Sequence, residues 1–178
     1  IIKELKKLGT KTEDILVICD ERGKQYLDNL DISIYTPEIF VSKKGIAGYI
    51  LNIFTILKSI KVINKILKDK NISVVFTTGA YIAPVAGIVS KILKASFFIQ
   101  EQNIYAGLGN KISAIFAETI FTSFEDTQNI NKSKLNHAGP IVNTTLTRKD
   151  INSLAVQTIG FVGGSQGSEE INNYVEQF

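Results

Sequence analysis

The chain has 178 residues, 44% apolar and 21% charged, a composition that excludes a disordered or fibrous protein. Twenty Lys and Arg against 17 Asp and Glu leave a net charge of +3, too mild for the basic field of a dedicated nucleic-acid binder. A single cysteine, Cys19, excludes an internal disulfide and a thiol-rich metal site and fits a reducing compartment.

The length suits one full domain and a remnant of a second. With no methionine and Ile1 first, the sequence reads as a fragment. Ile1 to Leu8 reads as the last turns of a helix stopped by Gly9. Ile15 to Cys19 is a β-branched, buried-type strand, followed by a helical segment from Glu21 to Leu30 and a short strand at Ile32 to Tyr35. From Lys44 to Lys68, Ile46, Ile50, Ile53, Leu57, Ile60, Ile63 and Leu67 recur at the spacing of one helix face. Val74 to Thr77 is a strand, Gly79 to Pro84 a turn, and Val85 to Leu93 a helix.

Ser96 to Ile99 forms the next strand and runs into Gln100, Glu101, Gln102 and Asn103. Lys111 to Ala117 is helical, and Thr119 to Thr122 and Leu135 to Ala138 are strands. This alternation predicts an α/β fold with a mostly parallel sheet over 1–142. A polar linker covers 143–156, and 157–178 opens a second βα unit with the strand Thr158 to Val162.

Two segments carry chemistry. In FVGGSQGSEE, Phe161 to Glu170, a strand feeds Gly163, Gly164, Ser165, Gln166 and Gly167 into a helix start, leaving backbone N–H groups to face a phosphate. The same pattern also describes a tight turn with an N-cap serine. The IQEQN cluster follows a strand at the edge where open α/β sheets bind ligands, and its carboxylate and amides suit a polyhydroxylated ligand as well as they suit loop filler. Asn110 reads as a cap of the following helix. His137, the sole histidine, reads as a structural or surface group, and Cys19 as a small apolar core residue. The long helix carries Tyr49, Phe54 and Ile56 beyond its main stripe and is flanked by lysines. That pattern describes a wide core face or a seat on an anionic membrane, with Ile50, Phe54, Lys58 and Lys61 as contacts.

TTGAYIAPVAG (Thr77 to Gly87), IQEQNIYAGLGNKISAIFAE (Ile99 to Glu118), GPIVN (Gly139 to Asn143) and GFVGGSQGSEEIN (Gly160 to Asn172) stand in one order. This order resembles the MurG family, the UDP-N-acetylglucosamine transferases that convert lipid I to lipid II. The resemblance implies a GT-B fold, with a Rossmann-like parallel-sheet domain on the acceptor and membrane side and the first βα unit of a second Rossmann-like domain that binds UDP-sugar. It implies an inverting transfer with no required metal or other cofactor, by a peripheral protein on the cytoplasmic face of the cell membrane. The implied partners are UDP-GlcNAc, a polyprenyl-diphosphate-linked sugar acceptor and an anionic membrane surface. Asn103, Gly163, Gly164, Ser165, Gln166, Gly167 and Asn143 then lie on the donor side, and Gly79, Tyr81, Glu101, Gln102 and Asn110 on the acceptor or cleft side.

The match has departures. The family's first strand and Gly-rich loop, with its proposed histidine base, are expected before Ile1, so this segment alone is expected to be inactive. Gln100 stands where the family has histidine, and Asn143 where it has an arginine that grips the donor diphosphate. These changes leave two alternatives open: a divergent transferase for another lipid-linked wall precursor, such as pseudomurein, or a non-catalytic membrane-binding scaffold.

Overall fold

Among the residues that the computed structural model describes, 1–27, 29–37, 46–142 and 169–175, helices and strands alternate along the chain. Helix α1 (Ile2–Lys7) ends where Gly9 takes φ +92°. Gly9 N–H donates to Lys6 O at 3.1 Å and Thr10 N–H to Leu5 O at 3.0 Å, which satisfies carbonyls that the helix end would orphan. Strand β1 (Leu16–Ile18) is half-buried and pairs in parallel with β2 (Ser33–Tyr35). Between them α2 is one turn, Glu21–Lys24, capped by the Asp20 carboxylate on Gly23 N–H at 2.8 Å. The expected helix to Leu30 stops early, in a stretch with Gly23 inside it and Asn29 beyond.

Helix α3 (Ile46–Asp69) delivers Ser59, Ile63 and Leu67 to the interior. Strands β3 (Val74–Thr77), β4 (Ser96–Glu101), β5 (Thr119–Thr122) and β6 (Leu135–His137) form a parallel sheet in that order. Parallel neighbours need crossovers, and α4 (Ala83–Leu93) and α5 (Leu108–Ser113) supply two of them. Pro84 sits in the first turn of α4, where its missing N–H costs nothing, so the helix begins before the expected Val85.

Two apolar clusters hold these layers. Ile63 and Leu67 of α3 meet Val85 and Val89 of α4, with Leu16, Ile18 and Val75 packed against them. On the other side Phe97, Ile99 and Ile120 meet Ala114 and Ala117, with Phe116 packed on them. A Cβ on Gly87 would come within 2.9 Å of the Phe116 ring, so the glycine lets α4 approach the turn after α5 closely. An apolar cavity of about 630 Å³ lies between β1 and β3, lined by Leu16, Ile18, Leu67, Val75, Phe76 and Ile82 among others.

The chain divides into two compact units, Ile1–Ile141 and Val142–Phe178. In the second, α6 (Glu169–Val175) is described. The strand at Thr158 to Val162 and the linker lie outside the described residues.

Candidate functional site

The carboxyl ends of β3, β4, β5 and β6 share one edge of the sheet, and the loops beyond them carry the polar residues singled out in the sequence. β4 continues past the expected Ile99 because β5 pairs with it as far as Glu101, opposite Thr122. Gln100 and Glu101 are therefore strand residues, 2% and 1% exposed.

Burial of a carboxyl group needs compensation by hydrogen bonds, and Glu101 has four. Its Oε1 accepts from Asn103 N–H at 2.9 Å and Asn103 Nδ2 at 3.0 Å. Its Oε2 accepts from Gly107 N–H at 3.0 Å and Asn110 Nδ2 at 2.9 Å. Glu101 thus pins both ends of the 102–107 loop to the strand below it. The side chain faces into the protein, and its neighbours Gln102 and Asn103 are the exposed polar groups.

Asn110 is likewise buried and does not cap α5; Gly107 holds the N-cap position and Asn110 lies within the helix. Its Nδ2 also donates to Gln100 O at 3.2 Å, while its Oδ1 has no hydrogen-bond partner. The Asn110 amide faces the loop after β3, where Gly79 takes φ +107° and donates its N–H to Thr77 Oγ1 at 3.2 Å. A Cβ on Gly79 would stand 3.0 Å from Asn110 Nδ2. Gly79 and Asn110 are expected on one cleft, and the structure brings them together.

The β4 and β5 loops are also joined. Ala106 N–H donates to Gln128 O at 3.0 Å and Gln128 N–H to Ile104 O at 2.6 Å. Gln100 Nε2 donates to Ser123 Oγ at 3.2 Å, which accounts for a polar group where the family resemblance anticipates histidine. Ser123 and Gln128 take part without any local sequence signal, and Gly109 packs against the Ala80 carbonyl. Only the pairing of β4 with β5 brings Ser123 and Gln128 to the site, and Gly109 stood in plain view as a glycine at a helix start.

Above this braced floor, Tyr81, Gln102, Asn103 and Tyr105 are exposed. They present hydroxyl and amide groups, a set that hydrogen-bonds sugars and nucleotides. Among the described residues no three His, Cys, Asp or Glu side chains gather as a metal site. His137 is exposed at the end of β6. Lys58 and Lys61 are exposed on α3. The side chains of Ile50 and Phe54 lie outside the described residues, as do Asn143, Gly163, Gly164, Ser165, Gln166 and Gly167.

A family model for the glycosyltransferase family 28 N-terminal domain matches residues 1–122, so it includes β3, the Glu101 loop and β5. The chain belongs to glycosyltransferase family 28. Within that family it is 35% identical over 176 residues to the UDP-N-acetylglucosamine--N-acetylmuramyl-(pentapeptide) pyrophosphoryl-undecaprenol N-acetylglucosamine transferase of Thermosipho africanus, covering 97% of this chain and 52% of the relative. It is 30% identical over 132 residues to the protein of the same name from Streptococcus thermophilus, covering 68% of this chain and 35% of the relative. The chain therefore spans about half the length of the curated relatives it matches, or less.

The crystal structure of Acinetobacter baumannii MurG superposes with a TM-score of 0.64 at 22% identity, covering 81% of this chain and 41% of that one. The family 28 chain takes the Rossmann-like parallel-sheet fold expected from its sequence, and the MurG resemblance carried by the motifs agrees with these matches.

Proposed function

We propose that this chain is the acceptor-side part of an inverting glycosyltransferase that moves N-acetylglucosamine from UDP-GlcNAc to a polyprenyl-diphosphate-linked muramyl-peptide, lipid I to lipid II. The observation that carries the reading is the Glu101-braced loop with Asn103 exposed on it, in a family 28 chain whose Thermosipho relative is named for this transfer. Asn103 contacts the donor from the first domain, and the 163–167 loop binds its nucleotide and phosphates through backbone N–H groups and Ser165. A base deprotonates the acceptor hydroxyl while those N–H groups stabilise the departing diphosphate, and no metal is required.

The exposed lysines of α3 suit a peripheral seat on an anionic cytoplasmic membrane surface, and no helix among the described residues is long and apolar enough to cross a membrane. Asn143 and Gln100, in place of the family's arginine and histidine, favour one second reading, a transferase for another lipid-linked wall precursor.

The test is UDP release by the complete gene product from UDP-GlcNAc, with and without a lipid I analogue. UDP-glucose and a lipid lacking the muramyl unit serve as controls. Acceptor-dependent release with UDP-GlcNAc supports the reading, release only with another acceptor supports the second, and membrane binding with no release overturns both in favour of a scaffold.

A further inference from the structure

Asn103 is assigned above to the donor without the atom it offers; the structure carries that further step, which rests on the donor binding of the proposed function. A carboxylate oxygen only accepts hydrogen bonds. Glu101 Oε1 receives the Asn103 backbone N–H at 2.9 Å and Asn103 Nδ2 at 3.0 Å. Turned over, the amide would set its own oxygen against Oε1, two acceptors in contact, so the carboxylate admits one orientation of Asn103. Asn103 is exposed, and no group of the described residues donates to its Oδ1. Glu101 is 1% exposed and is held from the other side by Gly107 N–H and Asn110 Nδ2. It cannot swing away without releasing the far end of the loop.

We propose that Glu101 is a positioning residue that fixes the Asn103 amide with Oδ1 outward, so that this oxygen meets a hydrogen-bond donor on the sugar nucleotide. A ligand hydroxyl or N–H satisfies that oxygen, whereas a phosphate oxygen, an acceptor only, does not. Asn103 on this account recognises a hydroxyl or N–H of the sugar or the base through Oδ1, while the second N–H of its amide stays open to an acceptor.

The complete gene product tests this with Glu101→Gln, Asn103→Asp and the double variant, measuring donor KM, kcat, melting temperature, and exchange of the Asn103 and Gly107 amide protons. Glu101→Gln removes a charged acceptor, and its amide nitrogen must meet one pair of N–H donors. Asn103→Asp sets two carboxylates face to face. Each single variant is expected to raise donor KM about tenfold or more, the effect of one lost charge-assisted hydrogen bond, with kcat changing less. In the double variant the amide introduced by Glu101→Gln donates to the carboxylate introduced by Asn103→Asp. The second oxygen of that carboxylate again faces outward as an acceptor, so donor KM falls part of the way back, short of the wild-type value because the backbone N–H of residue 103 meets the new amide nitrogen instead of an acceptor.

Wild-type donor KM in both single variants, or a double variant no better than the poorer single one, overturns the proposal. A wild-type gene product that binds UDP-GlcNAc without transferring it refutes the transfer reading but not this one; donor Kd then replaces KM, with the same outcomes. A wild type that does not bind UDP-GlcNAc overturns both. Exchange at Asn103 and Gly107 that stays unchanged in Glu101→Gln overturns the brace whatever the activity.

Discussion

The carbonyl oxygen of Ala80 occupies the place where a Cβ on Gly109 would stand. The loop after β3 therefore rests directly on the first turn of α5, with Ala80 held at φ +62° and Gly79 at φ +107°. Gly109→Ala must push backbone against backbone, and the expected cost is about 2–3 kcal/mol, in the range of overpacked cores. Gly107→Ala is the control: nothing lies within 4 Å of its added Cβ, and it is expected to stay within about 1 kcal/mol of wild type. Urea unfolding of the three proteins measures the difference. Equal midpoints for Gly109→Ala and wild type would show that the two loops separate freely.

Gly79→Ala tests the other half of the contact. It combines a φ of +107° with a Cβ 3.0 Å from Asn110 Nδ2. An alanine there is strained by backbone and neighbour alike, and the expected loss is about 1–3 kcal/mol. It also disturbs the amide that donates to Glu101 Oε2. Faster amide exchange at Gly107 than at β4 residues is the expected sign, because the disturbance passes through Glu101. Uniformly faster exchange across the sheet would instead indicate a general loss of stability.

How much of this was legible in sequence divides along a physical line. Val74 to Thr77 and Thr119 to Thr122 are short β-branched runs between turn signals, and β3 and β5 occupy those bounds. β4 was expected to stop at Ile99, since Gln100 and Glu101 read locally as the polar start of a loop. Their partners, Ser123, Gly107 and Asn110, are 6 to 23 residues away in sequence, and only the fold brings them near. Asn110 failed as a cap for the same reason: its preference for a helix start was outweighed by a buried carboxylate that needed a donor. The polar cluster lies at the carboxyl ends of the strands, but local pattern does not say which of its side chains turn inward.

Lys134 is a further long-range device. Its Nζ donates to Ala114 O at 3.1 Å, Ile115 O at 3.2 Å and Ala117 O at 2.6 Å, satisfying carbonyls beyond the end of α5. Lys134→Met keeps the apolar stem and removes the charge. It is expected to cost about 1–2 kcal/mol in urea unfolding, since these bonds are charged but partly solvated. Because Lys134 bonds carbonyls past the C-terminal end of α5 while Asn103 lies in the loop before its first turn, donor KM of the complete protein is expected to stay at the wild-type value. A raised KM at unchanged stability would mean that the α5 end communicates with the ligand loop.

The lysines of α3 give the last prediction. Lys58, Lys61, Lys65 and Lys68 are exposed, with Leu57 beside them at 57% exposure, while Ser59, Ile63 and Leu67 point inward. At 3.6 residues per turn these four lysines and Leu57 fall within an arc of about 100°. Such a strip adds about 1 kcal/mol per lysine near an anionic lipid surface, and salt screens it. Lys58→Glu with Lys61→Glu should therefore weaken sedimentation with vesicles of phosphatidylglycerol, most clearly at low salt, and leave the melting temperature nearly unchanged. Vesicles of phosphatidylcholine should bind both proteins equally weakly. Undiminished binding of the double variant to the anionic vesicles would remove this strip from the membrane seat and leave the lysines as solvated cover over the α3 core face.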